Sequence, residues 1–160
     1  MSNDGGIETR LHPPKAKGHI SSARVSRAWY VACRSAALSK KPLAVTILGI
    51  PLALFRDGNK RACAVLDRCP HRNIPLSLGQ VVDGELECAY HGWRFDGCGN
   101  CTRVPGLCGD AAAPSRRVET FKTIEQQGLV WVYTDPTTQP VAEPFHMPCV
   151  DEPGYHTVYD

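Results

Sequence analysis

Two short segments, Cys69-Pro70-His71-Arg72 and Cys88-Ala89-Tyr90-His91-Gly92-Trp93, constrain this chain more than anything else in it. Each offers one thiol and one imidazole, and sixteen residues separate His71 from Cys88. A fold that uses all four side chains must bring two bends together. Zinc-finger segments usually draw two ligands of one kind from each piece of chain, as C-x-x-C or H-x-x-x-H. Here each segment mixes the kinds, as C-x-H and C-x-x-H. That pattern suits a binuclear centre, both sulfurs on one metal and both imidazoles on the other, better than it suits a single zinc ion, which stays the alternative.

The remaining cysteines must be sorted before that idea has weight. Eight cysteines in 160 residues, with no apolar leader among the charged first 28, read as metal ligands or reduced thiols of a cytoplasmic protein, not as a disulfide framework. Cys98-Gly99-Asn100-Cys101 is a C-x-x-C that overlaps the turn after the second segment, and an inert thiol is the expectation there. Cys33 and Cys63 read as small buried apolar residues, and His12, His19, His146 and His156 receive no role. Fourteen glycines and thirteen prolines, scattered through the chain, predict an all-β fold of short strands and turns. Strands are expected at Trp29–Cys33, Leu43–Leu48, Leu52–Arg56, Cys63–Asp67, Val81–Val82, Glu85–Cys88, Trp93–Phe95, Cys101–Val104, Val118–Thr123 and Leu129–Tyr133. A helical turn fits near Ser35–Ser39. Asp57-Gly58-Asn59 and Asp83-Gly84 are hairpin signals, because Gly and Asn tolerate positive φ.

The two segments, continued by Arg94-Phe95-Asp96-Gly97 and Gly99-Asn100-Cys101, resemble the N-terminal Rieske [2Fe-2S] domain of Rieske non-haem iron oxygenases. The likeness extends from about Trp29 to Gly106, through Trp29-Tyr30-Val31, Pro42-Leu43-Ala44-Val45 and Pro51-Leu52-Ala53-Leu54-Phe55-Arg56. It is nearest to the monooxygenase-like group that includes chlorophyllide and pheophorbide oxygenases. The resemblance implies an antiparallel β-sandwich or incomplete barrel with a small cluster-binding subdomain at about residues 67–105, and Cys69, His71, Cys88 and His91 as ligands of a Rieske-type [2Fe-2S] cluster. With two neutral imidazoles in place of two thiolates, such a cluster is neutral when oxidised and carries one negative charge when reduced. Respiratory Rieske proteins have disulfide cysteines where this chain has Ile74 and Tyr90, and hydroxyl donors to the cluster sulfurs where it has Trp93 and Phe95. Without those donors the midpoint potential is expected near the low end of the Rieske range, ~−150 mV. Arg72 and Arg94 are candidate docking cations, Pro105-Gly106 a candidate lid, and Gly92, Gly97 and Gly99 are expected to allow tight turns and a close main-chain approach to the cluster sulfide.

The implied function is one-electron transfer, from a reductase or ferredoxin to a mononuclear non-haem iron in another domain or subunit. The alternatives are a stand-alone Rieske ferredoxin and a structural zinc module. The chain offers no mononuclear iron site of its own, since no D-x-x-H-x-x-x-x-H run occurs and His146 and His156 lie in a proline-rich stretch. The expected organisation is a mobile arm at 1–24, the Rieske domain at 25–135, and an extended linker or tail at 136–160. A net charge of +2 argues against nucleic acid or an anionic membrane as partner. The longest apolar run, Pro42 to Phe55, is interrupted by Gly49 and Pro51 and falls short of the roughly 20 residues a membrane span needs.

Overall fold

The computed structural model describes residues 25–158; the expected arm at 1–24, with His12 and His19, lies outside them. The chain is all-β and antiparallel. In order, the strands are β1 (Trp29–Arg34), β2 (Leu43–Ile47), β3 (Ile50–Arg56), β4 (Ala62–Leu66), β5 (Gln80–Val82), β6 (Glu85–Glu87), β7 (Arg94–Phe95), β8 (Cys101–Arg103), β9 (Thr120–Phe121), β10 (Thr123–Gln126) and β11 (Leu129–Tyr133). They form three sheets: β1-β11-β10, β2-β3-β4-β9 and β5-β6-β7-β8. The remaining regular pieces are 3-10 turns at Ser35–Ala37, Leu76–Leu78 and Pro114–Arg116. Among the described residues no helix is long and apolar enough to cross a membrane.

The period-2 geometry of strands explains why the middle sheet reads as nearly continuous apolar sequence. In β3 and β4, Ala53, Phe55, Cys63 and Val65 face one way, and pack with Leu76, Leu86, Phe95, Cys101 and Val118 of the β5–β8 side. Their neighbours Leu52, Leu54, Ala62 and Ala64 face the other way, onto Ile47, Phe121, Val130 and Val132. A sheet with both faces covered has no polar alternation to display. The two cores therefore share one central sheet, and burial of Phe55 on one face and Leu54 on the other, both 0% exposed, couples the layers.

Three two-residue turns, Leu48-Gly49, Asp83-Gly84 and Gln127-Gly128, have positive φ at both central positions, the type I′ geometry that matches strand twist. Asp83-Gly84 was expected; the other two were not, because Leu and Gln are poor turn signals. The Asp57 and Asp96 turns are copies of one design. In each, the aspartate's Oδ1 accepts from the main-chain N–H two and four residues on, Asn59 and Arg61 in one and Cys98 and Asn100 in the other, at 2.8–2.9 Å. The expected strand Val118–Thr123 divides at Lys122. Thr120–Phe121 pairs with β4, and Thr123–Gln126 crosses to pair with β11.

The proline-rich stretch contains no strand among its described residues, yet it is attached to the first sheet. Trp29 Nε1 donates to Ala142 O (2.8 Å), Gln126 Nε2 to Phe145 O (3.2 Å), and the Gln127 amide exchanges bonds with Met147 at both its N–H and its C=O (2.8 Å each). Val130 and Val132 point into the core, so Leu129, Trp131 and Tyr133 must point outward, but all five residues of β11 are buried. Residues 139–147 run along this outer side, with Trp29 packed on Tyr133 (5.4 Å between rings).

Candidate metal centre

Cys69 and Cys88 sit at the start of two loops with the same hydrogen-bond pattern. In the first, the Cys69 N–H donates to Ile74 O and the Asn73 N–H donates to Cys69 O, both at 2.8 Å. In the second, the Cys88 N–H donates to Trp93 O (2.8 Å) and the Gly92 N–H donates to Cys88 O (3.1 Å). In both, the fourth residue after the cysteine has a left-handed φ, +57° at Asn73 and +65° at Gly92. Asn and Gly tolerate that conformation best, so these two residues are the local signal for the paired bend. Sequence reasoning noted Gly92 but missed Asn73, whose Oδ1 also accepts from Arg68 Nε (2.7 Å).

The loops place the four candidate ligands in two pairs. Cys69 and Cys88 are buried in the core beneath the loops, at 2% and 3% exposure, close enough for their thiols to interact. Burial pushes the Cys69 thiol up to about 11, with Cys88 raising it further and the main-chain N–H groups of His71 and Arg72 opposing the rise. His71 and His91 stand exposed above them, with ring centroids 4.7 Å apart. His71 is held below its ordinary value, first by desolvation and then by His91 and Arg72, which favours the neutral imidazole that a metal requires. Among the described residues, no three His, Cys, Asp or Glu side chains converge as ligands of one metal ion. An inner sulfur pair and an outer nitrogen pair fit the donor set of a binuclear cluster.

Aromatic rings surround the outer pair. Trp93 lies on His71 at 4.7 Å with 2° between the ring planes, and Tyr90 meets His91 at 3.8 Å and 47°. A third loop approaches from the side. Val104–Leu107 is a turn closed by Leu107 N–H to Val104 O (3.1 Å), with Gly106 at φ +77°, and a Cβ added at Gly92 would lie 3.3 Å from Pro105 Cγ. Pro105 thus packs against the second cysteine loop. The expected roles of Gly97 and Gly99 need correction. Their close contacts are with Cys63 Sγ and Val118 O, at 2.6 and 2.2 Å from an added Cβ, so they seat the β7–β8 turn on the rest of the fold.

The other candidates separate clearly. Arg94 is not a free docking cation, because Glu87 (2.6 Å) and Asp83 (3.8 Å) hold it. Arg72 is exposed. Cys98 faces solvent while Cys101 is buried, so the C-x-x-C pair is split between surface and core. Burial raises the Cys63 thiol to about 11, in keeping with a packing role. His146 pairs at 3.5 Å with Asp151, away from the cysteine loops.

The model of the Rieske [2Fe-2S] domain matches residues 28–122. The chain is 44% identical over 138 residues to the oxygenase component of dicamba O-demethylase from Stenotrophomonas maltophilia, covering 84% of this chain and 40% of that protein. It is 39% identical over 108 residues to chloroplastic chlorophyllide a oxygenase of Chlamydomonas reinhardtii, covering 66% of this chain and 16% of that one. The crystal structure of dicamba monooxygenase bound to dicamba superposes with a TM-score of 0.76 at 43% identity, covering 86% of this chain and 41% of the other. The chain thus spans about two fifths or less of the length of these relatives.

Proposed function

The chain belongs to the Rieske [2Fe-2S] domain family, and from that membership we propose that it is the electron-transfer part of an oxygenase, with Cys69 and Cys88 holding the inner iron of the cluster and His71 and His91 the outer one. When bound, the cluster supplies reversible one-electron exchange near the protein surface. The observation that carries the reading is the sorting of donors by depth: two thiols in the core, two imidazoles side by side above them.

The residues around the four ligands have separable tasks. The paired loops hold each cysteine by main-chain bonds, whose donors only a proline substitution would delete. Leu76, Leu86 and Phe95, each 0% exposed, exclude water from the sulfur side. The side chains at positions 93 and 95 carry no hydroxyl, which supports a potential near ~−150 mV, suited to a ferredoxin or reductase as donor. The exposed imidazole pair is the port through which a donor and a mononuclear non-haem iron, in another domain or subunit, exchange electrons with this chain. Residues 25–135 form the cluster-bearing domain in this reading, and the described residues after 135 lead away along its first sheet. Oxygenase relatives support the assignment of the acceptor.

Anaerobic reconstitution of the full chain with iron and sulfide tests the proposal. We expect two irons and two acid-labile sulfides per chain, a red-brown colour, and a rhombic EPR signal after dithionite. Cys69→Ser and His91→Ala should each abolish that signal. A colourless protein holding one zinc and no sulfide would show the structural-module reading to be the correct one.

A further inference from the structure

Two thiols outside the candidate metal centre meet at one cleft. Its volume is about 410 Å³, and Asp57, Arg61, Cys63, Gly97, Cys98 and Glu125 are among its walls. Cys63 comes from β4, and Cys98 from the turn between β7 and β8. Cys63 is the buried member of the pair and Cys98 the exposed one. The Cys63 sulfur rests on Gly97, the residue before Cys98: a Cβ added there would stand 2.6 Å from Cys63 Sγ and 3.7 Å from its Cβ. The sulfurs are close enough for the charge of one to bear on the other, and Arg61, held to Asp57 at 2.7 Å, acts on both. Glycines flank Cys98 on either side, which gives its main chain more freedom to adjust than other neighbours would.

We propose that Cys63 and Cys98 form a reversible thiol–disulfide site, Cys98 reacting first with a small disulfide and Cys63 resolving the mixed bond. Thiolates carry out such exchange. In the first step the Cys98 sulfur attacks one sulfur of the small disulfide, and the thiolate that leaves takes up the proton Cys98 lost. In the second the Cys63 sulfur attacks Cys98 Sγ, expelling the other small thiol with the Cys63 proton. Two cysteine thiols are thereby oxidised by two electrons, and the small disulfide is reduced to two thiols. An S–S bond needs Cα atoms no more than roughly 7 Å apart, and the turn that must meet this limit is the one already resting on Cys63. Burial, and then Asp57, push the Cys63 thiol up to about 11, against Arg61. Strongly oxidising disulfides have a stabilised reduced form; a thiol whose thiolate is disfavoured has the opposite bias, toward keeping the bond. Once closed, the bond ties the central sheet to the β5–β8 sheet.

The full chain, reconstituted with iron and sulfide, is incubated anaerobically with glutathione disulfide. Remaining thiols are alkylated under denaturing conditions, and the digest is read by mass spectrometry. The expected product is a pair of peptides joined through Cys63 and Cys98, lost on treatment with dithiothreitol. Cys98→Ser should lose the link and leave Cys63 alkylated, and Cys63→Ala should stop at a mixed disulfide on Cys98. If Cys63→Ala does not fold, the unaltered chain and Cys98→Ser, at its exposed position, still decide. A link from Cys98 to Cys101 in place of Cys63, a mixed disulfide that persists on Cys98 of the unaltered chain, or no reaction at Cys98 would overturn the proposal. The link is read cysteine by cysteine, so the outcome holds whether or not Cys69 and Cys88 carry iron.

Discussion

Arg56 at the end of β3 uses all five of its N–H donors. Nε donates to Leu38 O (2.7 Å), one Nη to Lys60 O (2.7 Å) and Glu125 Oε2 (3.0 Å), and the other to Ser35 O (3.0 Å) and Glu125 Oε1 (2.9 Å). One side chain therefore ties the middle sheet to the first 3-10 turn, to the 57–61 turn and to β10. Arg56→Met keeps the stem and deletes every bond. Breaking a buried pair costs about 3–5 kcal/mol, and exposed pairs contribute roughly 0–1 kcal/mol. The side chains are 24% and 33% exposed, and three main-chain carbonyls lose a charged donor, so the expected loss is about 2–3 kcal/mol. For the described chain that is a fall in Tm of about 9 °C. The pH dependence identifies the cause. Arg56, chiefly by hydrogen bonding, holds the Glu125 carboxyl below its ordinary value. A carboxyl lowered in the folded chain contributes stability that is present above its unfolded value and lost as pH falls through the folded one. Urea unfolding of both chains across a pH series should show the full difference near pH 7, shrinking below about pH 4 to the part carried by the three main-chain carbonyls. A difference that stays constant with pH, or a variant as stable as the parent at pH 7, would refute this account of Arg56.

Three other outcomes follow from particular contacts. Gly99→Ala puts a Cβ 2.2 Å from Val118 O at φ +75°, and is expected to cost more than about 2 kcal/mol in thermal unfolding; a neutral result would mean that the β7–β8 turn can shift. Gln127→Leu removes both bonds to Met147 and should speed proteolytic cleavage after residue 136, with stability falling by about 1–2 kcal/mol. Redox titration of the reconstituted chain should give a midpoint near ~−150 mV, since neither Trp93 nor Phe95 offers a hydroxyl to the sulfurs; a strongly positive value would require a donor from another residue.

The four candidate cluster residues and their spacing, the all-β class and most strand positions were legible along the chain, because thiols, imidazoles and turn residues have narrow chemical uses. Asp57-Gly58 and Asp83-Gly84 marked turns through their own side-chain and main-chain preferences. What lay beyond reach depended on residues distant in sequence. Thr123–Gln126 became a strand only because β11 offered it a partner, and Leu48-Gly49 and Gln127-Gly128 took up left-handed turns because the strands on either side required them.

The linear order of residues thus determined which atoms are available to bind iron, a matter of local chemistry. Tertiary structure alone decided the depth at which each donor sits, that Arg94 is neutralised by Glu87 and Asp83, that Gly97 and Gly99 contact Cys63 and Val118, and that Trp93 lies on His71. Those relations are distances between side chains brought together by two cores sharing one sheet, and no local preference along the chain encodes a distance through space.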